Sequence, residues 1–312
     1  MSQKPIDLSK LKLSDLDLRP SKVAAEMLGK PWQPGGGFRG FIDSLPHVLS
    51  ADDLRAAAGA IVAARRAGKS VMLGMGAHVI KVGLSPLIID AMEQGILTGL
   101  AFNGAGVIHD TEMALAGRTS EDVAEALADG SFGTARQTGE FINAAVAADP
   151  DAGLGRTVGR ALLEAEPACI KVSLLAAAAR LDLPATVHVS IGADIIHMHP
   201  SFDGAATGRA THVDFRLFTA QVGGLKGGVY VNLGSAVVLP EVFLKALSAA
   251  RNLGHEAKDF TTVNMDMIRH YRPMTNVVTR PVLTGGRGIN ITGHHEINLP
   301  LLLAMVKEEL DA

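Results

Sequence analysis

The sequence predicts an α/β fold built on a doubly wound parallel sheet, and three observations point there. Short apolar runs ending in glycine-rich turns recur along the chain, with helical periodicity between them. Runs such as VMLGMG and VYVNLG are apolar on consecutive residues, the pattern of strands covered on both faces. Alanine, glycine and branched aliphatic residues are abundant, whereas aromatic residues make up only 4% of the 312 residues.

Residues 1–50 read as an irregular arm or cap, with Gly35, Gly36 and Gly37 behind Pro34. Residues 51–312 show no composition break and read as one α/β domain. Its first helix starts at Ala51, with Ser50 as N-cap and Gly68 near the C-cap. A strand over 71–76, a helix opened by Ser85 and Pro86, and a strand over 96–103 make a βαβ unit. IHDTEMALAG starts the next helix, and another over 119–130 has Thr119 or Ser120 as its cap. Residues 133–166 are mainly helical, and 173–181 form an alanine-rich helix. LDLPATVHVS supplies a loop and strand, 214–222 a helix, and GGVYVNLGSA a strand and turn. A helix over 239–251, a strand near 259–265, a loop over 285–293 and a helix from Asn298 complete the chain.

Charge and composition narrow the partners. Net charge is −3, from 29 basic and 32 acidic residues, and the basic ones are scattered, which argues against a nucleic-acid partner. The single cysteine, Cys169, excludes an internal disulfide and a thiolate zinc site. No uncharged apolar run reaches membrane-spanning length, and the first twenty residues lack the apolar core of a signal peptide. A cytoplasmic protein with buried contacts between identical subunits is the expectation.

In a doubly wound sheet, ligands bind where the carboxyl ends of the strands meet their turns. The candidates therefore lie on GMGAH, NGAG, IGAD, NLGSA and the GGRG to GHHE stretch. A glycine turn lets backbone approach a diphosphate, and the next helix presents free N–H groups to it. NGAG and NLGSA satisfy this, although such turns also serve simply as tight connectors. His78 and Lys81 follow the first turn; a lysine there binds an anion, acts as nucleophile or base, or is a solvated surface group. His109, Asp110 and Glu112 follow NGAG, where they exchange protons with a substrate or, for the acids, favour a helix N-terminus. His188, Asp194, His197, His199 and Asp203 are the densest run of possible metal ligands; His197 and His199 share one side of an extended segment. Of His294 and His295, at most one reaches a given site if that segment is extended.

Taken in order, these turns resemble deoxyhypusine synthase over roughly residues 70–305. MGAHVIKVGLSPLIIDAMEQGILTGLAFNGAGVIHD is similar to a stretch in which that family has a Thr-Ala-Gly-Gly turn followed by Glu-Glu-Asp. The resemblance implies a Rossmann-like NAD-binding fold and puts Asn103, Gly104, Ala105 and Gly106 on the nucleotide turn. It sets His109 and Asp110 on the last two acidic positions. SLLAAAARLDLPATVHVSIGADIIHMHP sets Asp194 on an aspartate that helps hold the polyamine. LGSAVVLPEVFLKAL puts Gly234, Ser235 and Ala236 beside the nucleotide, and ITGHHEINLPLLLAM puts His294 and His295 near its ribose or diphosphate. The family's tetramers, with sites between subunits, imply a homo-oligomer. One departure is large: TNVVTRPVLTGGRG contains neither the Trp-Gly-Lys motif nor its imine-forming lysine, so aminobutyl transfer to a protein is not expected.

The resulting expectation is an NAD-binding oxidoreductase or transferase acting on an amine or related small molecule. Its catalytic residues are His109, Asp110, Asp194 and His197; His78, Lys81 and the three later groups serve the cofactor, and no metal is assigned. The alternatives are a metal-dependent hydrolase or lyase using the 188–199 histidines, and a non-catalytic nucleotide-binding assembly protein.

Overall fold

The computed structural model describes residues 3–311. By compactness the chain divides into two units, Met1–Asp52 and Asp53–Ala312. In the first, a 3₁₀ turn at Ala25–Met27 precedes helix α1 (Gly37–Ser44). None of its described residues is buried, and Ile6, Leu8, Leu11, Leu13, Leu16 and Leu18 are all well exposed.

Helix α2 (Leu49–Arg66) leads into the sheet domain, where strand and helix alternate. The order is β1 (Val71–Met75), α3 (His78–Lys81), α4 (Ser85–Glu93), β2 (Gly99–Asn103), α5 (Gly104–Ala116), α6 (Val123–Asp129) and α7 (Arg136–Ala148). Then follow α8 (Leu154–Ala165), α9 (Leu174–Arg180), β3 (Ala185–His188), α10 (Gly204–Gly223), β4 (Val229–Leu233), α11 (Val238–Asn252) and β5 (Phe260–Asp266). A short helix α12 (Tyr271–Pro273), β6 (Gly286–Thr292) and α13 (His295–Leu310) end the chain.

The six strands form one sheet in the order β3-β2-β1-β4-β5-β6, every neighbouring pair parallel. This is the doubly wound, Rossmann-like arrangement. After β3 the chain returns to the far side of β1, so a switch point opens between the carboxyl ends of β1 and β4. Strands β1 to β5 are short and nearly wholly buried, which explains their unbroken apolar reading. On one face Met72, Ala101 and Tyr230 pack with Phe218 and Val222 of α10 and Leu239, Phe243 and Leu247 of α11. Tyr230 and Phe243 stack at 4.0 Å.

Polar residues in the sheet are paired across strands. Asn232, Asn264 and Asn290 occupy one register row, with Asn232 Nδ2 donating to Asn264 Oδ1 (2.8 Å) and Asn264 Nδ2 to Asn290 Oδ1 (2.9 Å). Asn232 Nδ2 also reaches Ser235 O (3.0 Å), fixing the turn after β4 from below. Among the described residues no helix is long and apolar enough to cross a membrane.

Several expectations change: Ser50 lies within α2, which starts at Leu49 rather than Ala51, and the last helix starts at His295 rather than Asn298. Residues 286–292 form the edge strand β6 rather than a loop. The cap of α6 is Asp122, whose Oδ1 accepts from Ala124 and Glu125 N–H, rather than Thr119 or Ser120.

Candidate active site

Helix α5 positions the principal group. It starts directly at the end of β2, where the Asn103 side chain caps it by accepting from Gly106 N–H (3.0 Å). Gly106 lies against Phe102, and a Cβ on Gly104 would fall 1.9 Å from Asp194 Oδ2. These glycines therefore let protein approach protein, with the Asp194 carboxylate lying over the first turn of α5.

Beside this turn is a cavity of about 460 Å³, lined among others by Lys81, Ala105, His109, Glu112, Arg118 and Asp194. The segment from Arg118 to Ala135, including Thr119, Ser120, Val123 and Phe132, closes one side of it. Ser120 holds φ at +71°, an uncommon backbone for a residue with a side chain.

On the cavity wall His109, Thr119 and Glu112 form a relay. His109 Nδ1 lies 2.6 Å from Thr119 Oγ1, and the Thr119 hydroxyl donates to Glu112 Oε2. Thr138 Oγ1, from α7, donates to Glu112 Oε1 (3.1 Å). A hydroxyl has one proton, and Thr119 gives it to the carboxylate, so His109 must donate from Nδ1–H. In the neutral ring Nε2 then carries the lone pair, and it has no hydrogen-bond partner among the described residues. Burial pushes the Glu112 carboxyl up, but the hydrogen bonding of His109, Thr119 and Thr138 outweighs it and holds the group below its ordinary range. Burial alone pushes Asp194 up to about 6. The cavity thus presents an oriented imidazole base and a carboxyl that titrates near neutrality.

Other expected residues lie at the switch point. His78 opens α3 and meets His295 edge-on, ring centres 5.8 Å apart; the same helix ends at Lys81 on the cavity wall. His295 is buried at the start of α13 against Gly234, whose Cβ would stand 2.6 Å from its Nε2; its Nδ1 has no partner. Burial lowers the His295 pKa, and the neighbouring Asp266 carboxylate opposes that effect. Gly234, at φ +66°, and Ala236 are partly exposed, while buried Ser235 accepts from Leu239 N–H through Oγ (3.1 Å). His294 is exposed and faces Glu296 at 3.6 Å.

Asp110 and His197 line neither the cavity nor the switch point. Asp110 is fully buried and accepts from Ser173 Oγ (2.7 Å) and the N–H groups of Leu174 (2.7 Å) and Leu175 (3.0 Å), so it anchors the start of α9. His197 Nδ1 accepts from Gly192 N–H (3.1 Å) and Asp194 N–H (3.4 Å), shaping the loop that carries Asp194.

The proposed metal cluster does not converge. Among the described residues no group of three or more His, Cys, Asp or Glu is arranged to hold a metal ion. His188 is buried beside Thr186 and Phe218, with its pKa lowered by burial to about 4. His199 bonds to Ser201, and Asp203 caps α10. Residues 195–198 form a 3₁₀ turn, which removes the extended geometry that aligned His197 with His199.

The sequence reading missed Arg118, Thr119 and Thr138 as site residues. Thr138 meets Glu112 across 26 positions, a juxtaposition created by packing α7 on α5.

Comparison with known proteins places this architecture. No protein-family model matches the chain, and no curated protein does. Among solved structures, a conserved candidate LOR/SDH protein from Methanococcus maripaludis S2 shares the fold at a TM-score of 0.54 and 18% identity, over 84% of this chain and 70% of that one. AgrE, solved as a ternary complex with ornithine and NAD+, matches at 0.54 and 14% identity, over 86% of this chain and 35% of its own. A candidate deoxyhypusine synthase from Entamoeba histolytica matches at 0.50 and 11% identity, over 89% and 95%. This chain thus spans about a third of the AgrE chain, a piece that carries the common fold. The protein has a Rossmann-like, deoxyhypusine-synthase-like fold.

Proposed function

We propose that the protein is an NAD-binding enzyme that oxidises an amine-bearing small molecule held in the cavity. The observation that carries this reading is the His109–Thr119–Glu112 relay on the wall of that cavity, which leaves His109 Nε2 free to take a proton.

The switch point fits a dinucleotide in three respects. Its turns are built from small residues, Gly76, Ala77, Gly234, Ser235 and Ala236. The amino end of the 15-residue helix α11 follows one of them. The buried His295 Nδ1 lacks a partner there. His78, Gly234, Ser235, Ala236 and His295 would hold NAD, which when bound supplies a hydride acceptor. In this reading His109 removes the proton from the substrate amine as the carbon–hydrogen bond is broken, Asp194 holds or exchanges the second proton, and Glu112 steadies the charged imidazole. The Arg118–Ala135 segment limits access of water.

Among the described residues Lys81 is the lysine on the cavity wall, and residues 279–293 contain none. We therefore place the chemistry at oxidation rather than transfer through a lysine imine. Incubation with NAD+ and a panel of amines should generate NADH, and His109→Ala should lower turnover about 10²- to 10⁴-fold while NAD+ affinity by calorimetry is retained. Full activity in that variant would remove His109 from the mechanism. Borohydride reduction during turnover should add no mass to Lys81.

The resemblance to tetrameric enzymes also leads us to propose a homo-oligomer. Light scattering showing a stable monomer at micromolar concentration would overturn that proposal.

A further inference from the structure

The charges around the cavity are unequal in their engagement, and this specifies a ligand. Of its carboxylates, Glu112 is held by Thr119 and Thr138 beside His109, and Glu121 accepts from Gly133 N–H (2.9 Å). Asp194 has no ion-pair partner among the described residues. The charged groups of the two cations on the wall, Lys81 and Arg118, make neither an ion pair nor a hydrogen bond with any described residue. Two cations without an ion pair among the described residues thus face the same space as half-buried Asp194, whereas Glu121, also without an ion pair among them, is exposed and tied to Gly133 N–H.

We propose that the cavity takes a small zwitterion, an amino acid, whose carboxylate is met by Lys81 and Arg118 and whose ammonium group is met by Asp194. A polyamine carries only positive charge, so it would be repelled by Lys81 and Arg118 and would leave both cations unanswered. An amino acid satisfies all three, and Arg118 adds a planar fork suited to a carboxylate. Because Arg118 follows Gly117, the left-handed C-cap of α5, its backbone is set by the end of the helix that carries His109. The anionic group and the base are thereby referred to one rigid element.

This inference rests on the cavity being the substrate site, as proposed above, and its test is independent of the cofactor. L-amino acids of three to six carbons, each paired with the amine that lacks its carboxylate, are titrated into the full-length protein by calorimetry without NAD+. At least one amino acid should bind about tenfold or more tightly than its paired amine, ornithine against putrescine being one such pair. Lys81→Met and Arg118→Met should each reduce that preference about tenfold, whereas Lys81→Arg should keep it. Equal or tighter binding of the amines overturns the proposal, as do an unchanged preference in both methionine variants and the absence of binding by every amino acid. Titration of NAD+ alone reads the cofactor proposal separately: its failure leaves the amino-acid result standing.

Discussion

His109 and Asp110 are neighbours on α5, and the turn of about 100° between successive helical residues sends them to different surroundings. His109 reaches the cavity, while Asp110 enters the core and anchors α9. The acid suited to assist His109 is Glu112, one turn further on, and it acts through Thr119. This makes Thr119 and Glu112 positioning residues, with a consequence that separates them from simple structural ones. Thr119→Val should lower kcat about 10- to 100-fold, the usual loss when the group that orients a histidine is removed, with KM changed little. Thr119→Ser keeps the hydroxyl and should restore most of the rate. Equal defects in valine and serine variants would mean that Thr119 only packs.

At the scale of elements, the register of β1 and β4 makes a sharper demand than the turns that follow them. Gly74 pairs with Asn232, and a Cβ at Gly74 would stand 2.3 Å from the hydroxyl of Tyr230, which is fully buried and lacks a hydrogen-bond partner. Gly74→Ala should cost about 1–3 kcal/mol through overpacking. Tyr230→Phe removes an unsatisfied hydroxyl and should be neutral or stabilising. Urea denaturation should show the double variant recovering much of the loss; strictly additive effects would place the strain elsewhere. The core strands were legible in the sequence because each is a continuous apolar run. β6 was not: its only apolar residues, Ile289 and Ile291, alternate with glycine and polar residues, and its burial is partial, unlike that of the other edge strand, β3. The glycine turns were visible, but their neighbours were not. No local pattern reveals that Gly104 is small to admit Asp194, or that Gly234 is small to admit His295.

For the whole molecule, burial raises one set of acids while hydrogen bonds and neighbouring cations lower another, and together they set the pH of greatest stability. Burial pushes Asp110 and Asp194 up to about 6 and Asp214 up to about 7, against an ordinary 3.8. A group with a raised folded pKa gives stability that is complete below its unfolded value and is lost as pH rises through the folded one, so these three weaken the native state between about pH 4 and 7. Glu112 and Glu256 act in the other direction. Hydrogen bonds outweigh the burial of Glu112, and contacts with Lys226 and Lys258 hold Glu256 down to about 2, so their contribution is lost only as pH falls below about 4. Stability should therefore peak near about pH 4, on the acid side of neutrality, and decline toward pH 7. Asp214 is the decisive test, because its Oδ2 ties Gly155 of α8 (3.0 Å) to Val187 of β3 (2.7 Å) while Oδ1 has no partner. Asp214→Asn preserves an acceptor but leaves its amide N–H₂ at the unpartnered position, which should cost about 1–3 kcal/mol at pH 5. Since asparagine does not ionise, the decline toward pH 7 should become shallower by roughly 2 kcal/mol. Denaturation curves for both proteins at pH 5, 6, 7 and 8 read this directly, and parallel declines would show that Asp214 does not titrate in that window.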